Sequence, residues 1–171
     1  GKTASSSSRC KVLVAGAGPA GLACARSFAL QGHDVTVYEK EHTAGGLLSL
    51  ASRAPGRSEL NDILTFFLSE LERLRVPIRF HTPLSAEILE KTAPDRVIIA
   101  TGSLPDMPII KGLFKTGKDL VTCVDLFKRQ NPVKGTRVIV LGGGMTALLS
   151  ADFLAERDCE VVVLNRKNRF A

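Results

Sequence analysis

Lys11-Val12-Leu13-Val14-Ala15-Gly16-Ala17-Gly18-Pro19-Ala20-Gly21 is the stretch that decides the fold. Its first five residues form a short apolar run that ends abruptly in glycine, as a buried parallel strand does. The next six spell G-x-G-x-x-G. In that pattern the first glycine, Gly16, permits a tight strand-to-helix turn. Gly18 lets backbone N–H groups approach a pyrophosphate, and Gly21 lets the helix pack closely on the sheet. The helix begins at Pro19, and its positive end would face the phosphates.

Working outward, apolar residues recur at helical spacing over residues 19–31 through Leu22, Ala25 and Ala29, and Gly32 stops the helix. Asp34-Val35-Thr36-Val37-Tyr38 is a second, β-branched strand, so the three elements make a βαβ unit. Glu39 follows that strand with Lys40 beside it, where an acid is needed to accept ribose hydroxyls. An acid there disfavours a 2′-phosphate, so FAD or NAD is preferred over NADP at this first site.

Residues 41–56 read as a loop marked by Gly45-Gly46 and Pro55-Gly56. After Ser58 comes a long amphipathic helix through Leu60, Ile63, Leu64, Phe67, Leu71 and Leu74, with Glu59 and Asp62 in its first turn. A short strand at 78–80, a helix near 85–91 and an apolar strand at 97–100 complete the region. The alternation predicts an α/β, Rossmann-like parallel sheet covered on both faces.

Residues 103–135 are richer in Pro, Gly and Lys, with a helix expected at 124–129. Arg137-Val138-Ile139-Val140-Leu141 then starts a second strand–glycines–helix–strand unit, with its helix over 146–157 and its last strand over 160–164. The expected organisation is a leader or linker over 1–9, a FAD/ADP-binding domain over 10–110, a crossover over 111–135, and an incomplete NAD(P)-binding βαβ unit over 136–171.

Composition closes off other classes. Hydrophobic residues make up 44% and charged residues 23% of 171, so the chain is neither disordered nor fibrous. No apolar run approaches the roughly 20 residues of a membrane-spanning helix, and the polar, Ser-rich start carries no secretory signal. The net charge is +6, but Lys and Arg are scattered, apart from Arg166, Lys167 and Arg169, and aromatics are only 5% with no Trp. Nucleic-acid binding is therefore excluded as the main function. Cys10, Cys24, Cys123 and Cys159 lie far apart with no Cys-x-x-Cys pair, which argues against a metal site or redox dithiol and for reduced thiols in the cytoplasm. Cys24 is expected on a buried helix face and Cys159 in a turn before a strand. His33, His42 and His81 are isolated in sequence and read as loop or turn residues.

Val14 to Leu22, Tyr38-Glu39-Lys40-Glu41 and Gly45-Gly46-Leu47-Leu48 together resemble the flavoprotein disulfide-reductase-like superfamily. Ala51-Ser52-Arg53-Ala54-Pro55-Gly56-Arg57 and Ile98-Ile99-Ala100-Thr101-Gly102 sharpen that resemblance. They look like the FAD/NAD(P)-binding reductase region of the 2,4-dienoyl-CoA reductase, trimethylamine dehydrogenase and NADH:flavin oxidoreductase family. The resemblance implies an FAD or ADP site, with Gly16, Gly18 and Ala20 at the pyrophosphate and Glu39 and Lys40 at the ribose. It places Gly46 and Leu47 on the flavin side, Leu84 at the adenine through its backbone, Thr101 and Gly102 over the pyrophosphate, and Arg53 either at a phosphate or as a solvated loop residue. The superfamily's redox cysteines are missing after the double glycine, so a dithiol mechanism is not expected. No side chain stands out as acid, base or nucleophile, as expected where the cofactor does the chemistry.

The second glycine site, Gly142-Gly143-Gly144-Met145-Thr146-Ala147, is G-x-G-x-x-A, with Gly142, Gly144, Met145 and Thr146 as its nucleotide-facing residues. Leu149 stands where the family usually has an acid. Asn165 replaces the acid after the second strand and Arg166 follows it, a pair that would accept a ribose 2′-phosphate and so NADPH. The unit ends within a few residues of its second strand, so other domains or another polypeptide are expected to complete it. The function read from the sequence is part of an FAD-dependent oxidoreductase passing electrons from NAD(P)H through FAD to a further acceptor. The alternative is a non-catalytic module that holds ADP or FAD structurally.

Overall fold

The computed structural model describes residues 8–113, 120–129 and 136–167. Residues 1–7 of the expected leader, parts of the expected crossover and Arg169 of the basic cluster lie outside them. The described chain forms two compact units, one from residues up to 49 together with 59–103, the other from 50–58 together with 104 onward. Sequence alone places residues 50–58 with the first region, whereas they pack in the second unit.

In the first unit the strands β1 (Lys11–Ala15), β2 (Asp34–Tyr38), β3 (Ile78–Arg79) and β4 (Arg96–Ile99) form one parallel sheet in the order β3-β2-β1-β4. The fold class is therefore the Rossmann-like parallel α/β sheet that the sequence predicts. Val12 and Val14 on β1 and Val37 on β2 are fully buried, because β1 has a strand on each side and the helix that follows it packs against it.

Helix α1 (Pro19–Leu30) follows the first glycine turn, with Gly18 as N-cap and Pro19 in its first turn. Gly21, Leu22 and Ala25 face inward at helical spacing. Gly32 ends the helix with φ +87°, its N–H on the Ala29 carbonyl and the His33 N–H on the Phe28 carbonyl. That double bond pattern is a Schellman stop, which a residue with a Cβ would resist. Helix α3 (Leu60–Arg73) packs on α1, burying Leu64 and Leu71, and Arg26 on α1 pairs with Glu70 on α3 at 2.8 Å. Helix α4 (Ala86–Thr92) is capped by the Ser85 hydroxyl, which accepts the Ile88 N–H.

One element departs from the sequence reading. The expected loop over 41–56 contains a short helix, α2 (Gly46–Ala51). The glycines outweighed the Leu47-Leu48-x-Leu50-Ala51 pattern, yet Gly45 and Gly46, at φ +111° and +51°, serve as its entry rather than as a break.

In the second unit α5 (Cys123–Lys128) starts at Thr122, whose hydroxyl accepts the Asp125 N–H. Strands β5 (Arg137–Leu141) and β6 (Glu160–Leu164) pair in parallel, joined by α6 (Met145–Ala155). Ala54, Phe127 and Phe153 are the buried centre of this unit, which is why residues 50–58 belong to it. Among the described residues no helix is long and apolar enough to cross a membrane.

Candidate functional site

The first glycine turn is closed by contact on two sides and open on the third. A Cβ at Gly16 would strike the carbonyl of Ala100, and one at Gly21 would strike the carbonyl of Gly16. Gly16 also has φ +107°, which L side chains resist. A Cβ at Gly18, by contrast, would meet nothing within 4 Å. Gly16 and Gly21 are thus glycine for the fold, and Gly18 is glycine beside empty space.

Of the residues singled out from the sequence, Pro19, Ala20, Gly46 and Thr101 lie at that turn. The N-terminus of α1 has no side-chain cap, and Pro19 and Ala20 are exposed there. Gly46 lies against Gly18, its added Cβ falling 3.5 Å from the Gly18 Cα, and the Gly45 N–H bonds the Ala17 carbonyl at 2.8 Å. The strand leading to Thr101 comes to Gly16, with the Ala100 N–H on the Ala15 carbonyl at 2.8 Å. Gly102 follows at φ +76°, exposed. Lys40 is exposed after β2, Leu47 is 45% exposed on α2, and Leu84 is half-buried between β3 and α4.

Glu39 is buried, 7% exposed. Its Oε2 accepts the Ala17 N–H at 2.7 Å and its Oε1 the Glu41 N–H at 2.9 Å. The carboxylate therefore ties the end of β2 to the glycine turn. Each oxygen has a further lone pair, so accepting a ribose hydroxyl remains compatible with those bonds.

Arg53 belongs to the second unit, where its Nη1 donates to the Phe127 carbonyl at 2.9 Å. Cys10, Cys24, Cys123 and Cys159 form no disulfide, and burial pushes the Cys24 thiol up, away from its reactive thiolate. Cys24 is half-buried rather than buried. His42 and His81, far apart in sequence, meet with ring nitrogens 2.6 Å apart. Only the pairing of β2 with β3 could have signalled that contact.

In the second unit the turn repeats the first with a different third residue. Gly142 has φ +134°, and its added Cβ would sit 3.4 Å from the Ala147 Cβ, so alanine fills the third position in ordinary contact. Gly144 is the uncapped N-cap of α6 and, like Gly18, has nothing within 4 Å of its added Cβ. Met145 and Thr146 are exposed at that end, and Arg57 Nη2 lies 3.9 Å from the Met145 sulfur. The Asn165 side chain lies over Gly143, and Arg166 is exposed beyond it.

A parallel sheet ordered 3-2-1-4, a glycine turn opening an uncapped helix and an acid after the second strand define a dinucleotide-binding α/β protein. Residues 10–171 match the pyridine nucleotide-disulphide oxidoreductase family, and the chain belongs to it. It is 36% identical over 163 residues to bilirubin reductase of Mediterraneibacter gnavus, covering 94% of this chain and 25% of that protein. It is likewise 36% identical over 155 residues to NADH oxidase of Thermoanaerobacter brockii, covering 90% and 24%. Among solved structures it superposes on 2-naphthoyl-CoA reductase in complex with 2-naphthoyl-CoA with a TM-score of 0.86 at 32% identity, over 96% of this chain and 24% of that one. The chain thus spans about a quarter of the length of the curated relatives it matches.

Proposed function

We propose that this chain is the dinucleotide-binding part of a larger oxidoreductase in which electrons pass from NAD(P)H through FAD to a further acceptor. The observation that carries this reading is the open Gly18 beside the uncapped start of α1, with Gly46 and the Glu39-tethered turn around it. Open space at Gly18, beside the uncapped N–H groups at the start of a helix, suits a pyrophosphate.

In this reading Gly18, Pro19 and Ala20 hold the FAD pyrophosphate through the N-terminus of α1, and Thr101 and Gly102 close over it. Glu39 and Lys40 take the ribose, Leu84 the adenine, and Gly46 and Leu47 the flavin side. When bound, FAD supplies the capacity to accept a hydride from a reduced nicotinamide and pass its electrons on. The chain's own part is to bind and orient. At the second turn Gly142, Gly144, Met145 and Thr146 would take a nicotinamide nucleotide, with Asn165 and Arg166 favouring NADPH. The remaining domains, in the same polypeptide or a partner, would complete both sites, and the cytoplasm is the proposed compartment.

The test is to load separate samples of the purified chain with FAD and with ADP, record a visible spectrum, remove excess nucleotide, denature, and identify what is released by mass spectrometry. Retained FAD is the expected result. Retention of ADP but not FAD would favour the structural alternative, and a chain that retains neither would overturn both.

A further inference from the structure

The second unit holds a cavity that the dinucleotide reading leaves unused. It measures about 340 Å³ and is lined by Arg53, Phe127, Arg129, Phe153 and Arg157. Phe127 and Phe153 meet edge to face with centroids 4.9 Å apart, and both are buried, so they form an apolar floor. The Arg157 guanidinium carbon lies 3.5 Å from the centre of the Phe153 ring, and its Nη1 donates to the Phe153 carbonyl at 2.9 Å. Arg53 makes the matching bond to the Phe127 carbonyl.

Two of these arginines have a structural reason to be there. Each donates to a carbonyl near the end of a helix, where orphan acceptors and the helix dipole favour a cation. Arg129, the C-cap residue of α5, shares that helix-end position but donates to no carbonyl: its guanidinium has no hydrogen-bond or ion-pair partner among the described residues. Arg53 and Arg157 also keep donors in hand, since a guanidinium carries five N–H groups. Against these three cations, the ion pair found among the described residues is the one from Arg157 to Glu156, at 3.7 Å and largely exposed. Positive charge therefore exceeds negative around a cavity of ligand size.

The place is distinct from the second glycine turn. Phe153 lies nine positions along α6 from the Gly144 N-cap, which at the helical rise is roughly 13 Å. We propose that this cavity is a second anion site, taking the phosphate or pyrophosphate group of a small ligand through the planar donor forks of its arginines. The group comes either as the free anion or as an ester whose organic part rests on the phenyl floor.

Calorimetric titration of the FAD-loaded chain with inorganic pyrophosphate, inorganic phosphate and phenyl phosphate tests this. Saturable binding with one Arg129-dependent site per chain is expected. Phenyl phosphate binding tighter than inorganic phosphate identifies the ester form, and equal affinity identifies the free anion. Arg129→Ala should weaken binding by about tenfold or more, with Arg129→Lys recovering only part of it because lysine lacks the fork. Retained FAD and the thermal midpoint should not change in either variant. Failure of all three probes to saturate, as when the occupant is an acidic protein segment, overturns the proposal, and so does binding that Arg129→Ala leaves intact. Because FAD retention is read separately, a failure here leaves the dinucleotide reading standing.

Discussion

The Glu39 carboxylate accepts the Ala17 backbone N–H at 2.7 Å, so the acid after β2 clamps the glycine turn before any nucleotide arrives. Its other oxygen holds the Glu41 N–H, which makes Glu39 a structural part of the site as well as a ligand candidate. Replacing Glu39 with Ala removes both acceptors from a buried place. The nucleotide-free chain should lose about 1–3 kcal/mol of stability, read by denaturant unfolding. A residue that only touched ribose would leave the unloaded chain unchanged, so an unaltered midpoint would contradict this role.

The two later glycines of the first turn should separate binding from folding. Gly18→Val places its side chain in open space, so unfolding should be near wild type while FAD retention is lost. Gly21→Ala drives a methyl group onto the Gly16 carbonyl, which cannot rotate away, at a cost on the order of 2–3 kcal/mol. Retention of FAD by Gly18→Val would show that the phosphates lie elsewhere.

Acid sensitivity should trace partly to Glu70. Hydrogen bonds from Arg73 and Arg26 hold its carboxyl down to about 2. A carboxyl lowered on folding from its ordinary value of about 4.3 stabilises the native state above that pH, and the contribution fades as pH falls towards about 2. Glu70→Gln should therefore be less stable than wild type near neutrality, with the difference shrinking through that acid window. Salt should shrink it too, because Arg73 is exposed. Parallel stability curves across this pH range would rule the assignment out.

The outer face of the β5–β6 pair should be adhesive. Ile139 and Val162 are register partners, 57% and 42% exposed, and Leu141 and Leu164 continue the face at 47% and 49%. Contiguous apolar surface of this kind marks a contact site. Ile139→Lys should preserve far-ultraviolet circular dichroism and reduce both self-association in sedimentation and binding of an apolar dye. Unchanged association in that variant would show that this face is not the contact.

Much of the first unit was legible in the sequence because its signals are local. An apolar strand meeting G-x-G-x-x-G, a helix stopped by Gly32 and a β-branched strand followed by Glu39 are each set within a few residues. The α2 helix was not, because its turn-forming glycines sit at its entry and six residues give too little periodicity to outweigh them. The bond from Arg53 to the Phe127 carbonyl crosses 74 positions, and no local pattern encodes it.

The sequence by itself determined the parallel α/β class, both glycine turns and the acid after β2, because propensity and hydrophobic period act between neighbours along the chain. Tertiary structure decided which glycine faces open space, that both oxygens of Glu39 grip backbone N–H groups, and that three arginines share one cavity floored by two phenyl rings. The physical reason is the same in each case. These contacts join residues distant in sequence, and only the packing of strands and helices fixes what stands opposite what.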